Sequence, residues 1–136
     1  MIIIKSVGGS IIRDATIRVA DEQDLEFVQG LQSLGVNRNV ASLIVYFKNV
    51  EEGASRDIEV ATGMRQPEVS IAMRTMRERN WITEREIKGD GKGRPMKIYR
   101  ITVSIDDIIA HYEDMKRSES SRAMQSIQRL KEISVT

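Results

Sequence analysis

Between Glu52 and Thr102 the chain carries two helical runs separated by glycine, then two strand-like runs separated by a glycine-rich basic loop, and few folds accommodate that order. The first run, EGASRDIEVATG, predicts a helix capped by Ser55, with Ile58 and Ala61 turned inward and Gly63 allowing a left-handed exit. The second, MRQPEVSIAMRTMRERNWI, has Pro67 in its first turn, where a missing backbone N–H removes no hydrogen bond. On a helical wheel of about 100° per residue, Met73 and Met76 fall within about 40° of Val69, with Ala72 beside them, so these four form the inward face. Trp81 and Ile82 close the run. The strand-like ITEREI and MKIYRIT then flank KGDGKGRP, which is too rich in glycine to be helical and too basic to be buried.

The rest of the chain supplies a frame for this segment. Ile2 to Val7 and Ile11 to Val19 read as two strands around Gly8, Gly9 and Ser10, an N-terminal β-hairpin over residues 1–20. That hairpin either pairs with its counterpart in a second chain or closes a sheet edge in its own domain. Asp21 caps a helix whose Leu25, Val28, Leu31 and Leu34 share a face, with Gly35 as its stop, and Asn37 caps another in which Val40, Ala41, Ile44 and Phe47 recur at helical spacing. Residues 21–103 therefore read as one domain. From Ser104 a long helix over 104–136 carries Ile105, Ile108, Ile109, Tyr112 and Met115, then Ala123, Ile127 and Leu130 in a shifted phase. The polar stretch from Arg117 to Ser121 marks a kink or phase shift between them. An apolar stripe that long predicts a homodimer, the alternative being a helix folded back onto its own domain.

Several function classes fall away. The chain of 136 residues, 40% of them apolar, suits one globular core, and the absence of cysteine excludes disulfides and thiolate metal sites. Met1 to Ile4 is too short an apolar run for a signal peptide or a membrane span, so a cytoplasmic protein with no membrane partner is expected. Asp107, His111 and Asp114 approach one helix face, but a single imidazole with two surface carboxylates reads as a solvated stripe, and neither a metal nor another cofactor is expected. GDGKG is not a nucleotide-binding loop, because no helix follows to aim its N-terminus at a phosphate. No nucleophile lies beside a base and no carboxylate pair stands out, so the chain is not expected to be an enzyme. An effector pocket between the long C-terminal helix and the domain core stays open, although no polar cluster marks it.

Charge points instead to double-stranded DNA. The whole chain has a net charge of only +1, but residues 64–100 hold ten basic and five acidic side chains, 10 − 5 = +5, leaving 1 − 5 = −4 for the remainder. Opposite the apolar face of the second helix lie Ile71, Arg74 and Thr75, flanked by Arg65, Gln66 and Ser70. Arg74 can fork onto guanine O6 and N7, Gln66 can bridge adenine N6 and N7, and Ile71 can touch a thymine methyl. Ser70, with the backbone N–H groups of the helix start, suits a phosphate, and Arg77 is counted with the DNA-binding residues. Lys88, Lys92, Arg94 and Lys97 around the glycine loop would meet the backbone or minor groove whatever the sequence. Glu68 is a like charge near those phosphates and works against tight binding.

The segment RQPEVSIAMRTMRERNWI resembles the recognition helix of ArsR-type and MarR-type winged helix-turn-helix regulators. Gln66, Pro67, Val69, Ser70, Met73, Met76 and Arg77 stand at matching places, and Asn80, Trp81 and Ile82 replace the usual closing Gly-Leu-Val. The similarity runs from about Val36 to Val103, and the chain is also similar to predicted transcriptional regulators of archaea. The resemblance implies an α+β fold, a winged helix-turn-helix with an N-terminal β-hairpin and a long C-terminal dimerisation helix. It also implies a homodimer on palindromic DNA that regulates transcription. Ile71 and Ala72 depart from the ArsR type, which often has basic or histidine residues there, and the lack of cysteine departs from its metal-sensing habit. A winged-helix protein-interaction module that binds no DNA is the reading from a different class.

Overall fold

The computed structural model describes residues 21–88 and 95–135. The expected N-terminal hairpin, and the loop positions of Lys92 and Arg94, lie outside the described residues. In chain order the elements are α1 (Glu22–Ser33), α2 (Arg38–Asn49), β1 (Glu52–Ala54), α3 (Ser55–Thr62), α4 (Gln66–Glu78), β2 (Ile82–Ile87), β3 (Met96–Ile101) and α5 (Ile105–Ser134). Among the described residues this is a mixed α+β architecture with five helices and one three-stranded antiparallel sheet. Cα proximity divides the chain into two compact units, meeting between Val103 and Ser104.

The helix starts follow the local chemistry. Asp21 accepts from the Asp24 N–H at 2.8 Å and Asn37 from the Asn39 N–H at 2.7 Å, each satisfying a first-turn donor that would otherwise lack a partner. Gly35 and Gly63 adopt positive φ, 95° and 77°, directly after their helices. Ser55 departs from the expectation: it is the first residue of α3, Ala54 occupies the capping position, and no side chain caps the helix.

Helix α2 is the centre of the first unit, packing against α1, α3 and α4. Val40, Ala41, Leu43, Ile44, Val45, Tyr46 and Phe47 are all buried, so it is apolar almost all round, and each large side chain contributes about 1.5–3 kcal/mol of burial. On α1 the inward face is rotated from the expected one. Leu25 is 53% exposed, while Asp24 is 3% exposed and lies between Lys48 Nζ at 3.7 Å and Asn49 Nδ2 at 3.3 Å. An acid paired at that point in the helix excludes Leu25 from the core position that apolar periodicity assigned to it.

Strand β1 is not legible in the sequence. Three residues are too few to show alternation, yet they pair with β3 and place it centrally, in the order β1-β3-β2. Gly53 makes that pairing possible: a Cβ there would stand 2.2 Å from Tyr46 Oη, so only glycine lets the strand pass over the α2 ring.

In the second unit Ser104 accepts from the Asp107 N–H at 3.0 Å and opens a helix of 30 residues. It runs without a break through the polar stretch, bracketed by the ion pairs Lys116–Glu119, Arg117–Glu113 and Arg117–Asp114. Of the residues expected at a dimer interface, Ile108 and Tyr112 are buried and Ile105 and Met115 half-buried, whereas Ile109, Ile127 and Leu130 are exposed. Every described residue after Met115 is exposed. Among the described residues, no helix is long and apolar enough to cross a membrane.

Candidate nucleic-acid interface

The turn between α3 and α4 is set by residues that end one helix and start the next. Thr62 donates to the Ile58 carbonyl at 2.6 Å and its Oγ1 accepts from the Met64 N–H at 3.2 Å, so the chain leaves α3 with its polar groups occupied. Val69, Ala72, Met73 and Met76 are buried, the four positions the helical wheel assigns inward. The outward side of α4 follows by geometry: Ile71 is 62% exposed, and Arg65, Gln66 and Arg74 are exposed as well.

The first turn of α4 shows what its side chains already hold. The Glu68 carboxylate accepts from the Arg65 N–H at 2.8 Å, so this acid caps the helix as well as sitting near the place where phosphates were expected. Gln66 Nε2 donates to Ser70 Oγ at 2.8 Å. Ser70 is half-buried and its hydroxyl orients Gln66, and among the described residues the Gln66 carbonyl oxygen and its second N–H form no other hydrogen bond.

At the other end of α4 the chain reverses into the sheet at Asn80, whose φ of 61° is left-handed. Asparagine tolerates this better than most residues, which explains how it can replace glycine in the closing trio. The Thr102 N–H donates to the Trp81 carbonyl at 2.8 Å and Thr102 Oγ1 to the Asn80 carbonyl at 3.2 Å, fastening the corner to the end of β3. Arg79 lies 5.2 Å over the Trp81 ring.

The hairpin face toward α4 carries Glu84 on β2, opposite Tyr99 on β3. Arg77 Nη1 donates to Glu84 Oε1, and Lys97 Nζ stands 3.7 Å from Glu84 Oε2. Burial pushes the Tyr99 phenol up, Glu84 pushes it further and Arg77 opposes, as expected where the three groups meet. The other face carries Arg85, which pairs with Glu52, and Arg100, which pairs with Glu51 and approaches Glu52 at 4.0 Å.

Glu51 and Glu52 are the residues that sequence reasoning missed. The charge sum over residues 64–100 omitted them because they lie twelve or more positions upstream, yet the register Glu52↔Arg100 sets them beside those arginines. Including them, ten basic residues face seven acidic ones, 10 − 7 = +3 rather than +5. The one available signal was a pair of acids directly before a glycine able to start a strand. Lys88 is exposed at the end of β2. Among the described residues Arg65, Arg74 and Lys88 form no ion pair, whereas Arg77, Arg85, Lys97 and Arg100 all do.

The Asp107 and Asp114 carboxylates both have other partners, the first accepting from the Ser104 N–H at 3.4 Å and the second 3.6 Å from Arg117. His111 packs edge-on against Tyr112, with centroids 5.0 Å apart.

No family model matches the chain, and no curated protein matches it. Among solved structures it is similar to a protein of Methanosarcina mazei Go1 described as a possible transcriptional regulator, with a TM-score of 0.59 and 16% identity over 77% of this chain and 87% of that one. It also overlaps a transcriptional regulator homologue of Pyrococcus horikoshii OT3, with a TM-score of 0.49 and 12% identity over 73% of this chain and 96% of that one. The first likeness is one of fold; the second superposition is too loose to carry an argument.

Proposed function

We propose that the chain is a winged helix-turn-helix regulator of transcription that binds specific duplex DNA as a homodimer. In this reading residues 21–103 form the DNA-binding domain, with α4 in the major groove and the β2–β3 hairpin as the wing. The observation that carries it is the outward face of α4, where exposed Ile71 and Arg74, which has no ion pair among the described residues, stand directly opposite a fully buried apolar face. Arg65, Gln66, Ser70, Ile71 and Arg74 serve base readout and its positioning, and Lys88, Lys92 and Arg94 serve the backbone. Residues 104–136 form the dimerisation helix, through exposed Ile109, the half-buried Ile105 and Met115, and the exposed apolar side chains of its distal half, Met124, Ile127, Leu130 and Ile133, whereas Ile108 and Tyr112 are already covered within one chain. The archaeal protein of similar fold supports a regulatory role. The protein is a binding protein of the cytoplasm, not an enzyme.

The pairing of four cations on the α4–sheet surface favours one other reading, a winged-helix module that docks a protein through Ile71. Selection of bound duplexes from a random pool separates the two. A palindrome with half-sites about 34–36 Å apart is the expected product, and failure to retain any duplex at low salt would leave the docking module in its place.

A further inference from the structure

Arg77 and Lys97 stand where phosphate contacts are expected, yet both end on a single carboxylate. Glu84 receives Arg77 from the recognition helix on one oxygen and Lys97 from β3 on the other, over buried Tyr99. The side chain of Glu84 is 24% exposed, against 43% for Arg77 and 45% for Lys97, so the acid is the sheltered member of the three. A carboxylate and a phosphate compete for the same guanidinium with the same geometry.

We propose that Glu84 is a specificity-setting brake, which occupies Arg77 and Lys97 and so withholds two cations from the phosphate backbone. This rests on the DNA-binding reading. On random duplex the only gain from releasing Arg77 is to exchange one anion for another, and the exchange leaves Glu84 half-buried without its partner. Non-specific binding therefore proceeds on Arg65, Arg74 and Lys88 and the loop cations. At the correct site the base contacts of Arg74 and Gln66 come in addition, and discrimination rises because the background is low. Glu86 is the matched control: it lies on the same strand and face, is exposed, and has no ion pair among the described residues.

The test uses the full chain and a random-sequence duplex titrated over a range of salt, with the selected site as second ligand. Relative to Glu86→Gln, Glu84→Gln should bind random duplex about tenfold more tightly at low salt, with a salt slope steeper by about one to two units, as expected for one or two freed cations. The ratio of specific to non-specific affinity should fall. Adding both Arg77→Ala and Lys97→Ala to Glu84→Gln should remove most of the gain, and either one alone should remove part of it. Glu84→Asp keeps the charge but shortens the reach, and it too should raise random-duplex affinity. Thermal melts report whether each variant is folded, and Glu84→Asp carries the test if Glu84→Gln is not. Equal binding by Glu84→Gln and Glu86→Gln, or a gain that survives the loss of both Arg77 and Lys97, would overturn the brake. If neither the parent chain nor any variant retains duplex at low salt, the DNA-binding reading itself falls and the brake with it.

Discussion

The first half of α4 and the three-stranded sheet both present arginines to solvent, and they differ in what those arginines hold. Arg65 and Arg74 extend from a helix whose only first-turn acid, Glu68, is engaged with a backbone N–H. Arg85 and Arg100 extend from strands that lie beside β1, and the two acids at its start, Glu51 and Glu52, pair with them. Similar side chains are therefore available to a ligand in one region and committed to the fold in the other. Charge density along a sequence measures neither state, because an exposed pair contributes about 0–1 kcal/mol to stability while cancelling a charge that would attract phosphate.

Breaking β1 should produce the largest effect. Gly53→Ala forces a methyl group against the Tyr46 ring and is expected to destabilise the protein by about 3 kcal/mol, read as a lowered midpoint in denaturant. Adding Tyr46→Phe removes the nearest clashing atom and should recover part of that loss; no recovery would mean that the strand is displaced for another reason. Tyr46 Oη has no hydrogen-bond partner among the described residues, and burial first, then Asp57, push its phenol far above the ordinary 10.0. A raised pKa in the folded state means that the neutral phenol is favoured there. Its contribution is complete below about pH 10 and declines as pH rises beyond it, so Tyr46→Phe should lessen alkaline unfolding followed by circular dichroism.

Arg74→Ala tests the available set. It should lower affinity for the selected site by about 1–3 kcal/mol and relax preference at one base position, while melting as the parent does. Lys88→Ala should act more weakly and on all sequences alike, reducing the salt slope by about one unit. Arg100→Ala probes the committed set and should change least: stability within about 1 kcal/mol and duplex affinity close to the parent value. An Arg100→Ala variant that lost binding as Arg74→Ala does would erase the distinction between the two regions.

Much of the frame was legible because it depends on short-range chemistry. Asp21, Asn37 and Ser104 cap their helices, Gly35 and Gly63 take the left-handed conformation, and the four inward residues of α4 follow from spacing alone. Leu25 failed for a reason that periodicity cannot register. Asp24 gains partners 24 and 25 residues away, on α2, and those partners decide which side of α1 faces the core. Ser70 illustrates the same limit at the site, since its type says nothing of the bond its Oγ accepts from Gln66 Nε2, a bond that leaves its own O–H to donate.

By itself the sequence determined where helices begin and end and which side of α4 is apolar, because caps, glycine and the 3.6-residue period act within one turn of chain. Only the tertiary structure decided which cations have no ion pair among the described residues. That depends on β1 reaching β3 from across the chain, on Gly53 fitting over Tyr46, and on Glu84 standing between a helix and a strand. Electrostatic partners are chosen by distance in space, and sequence separation carries almost no record of it.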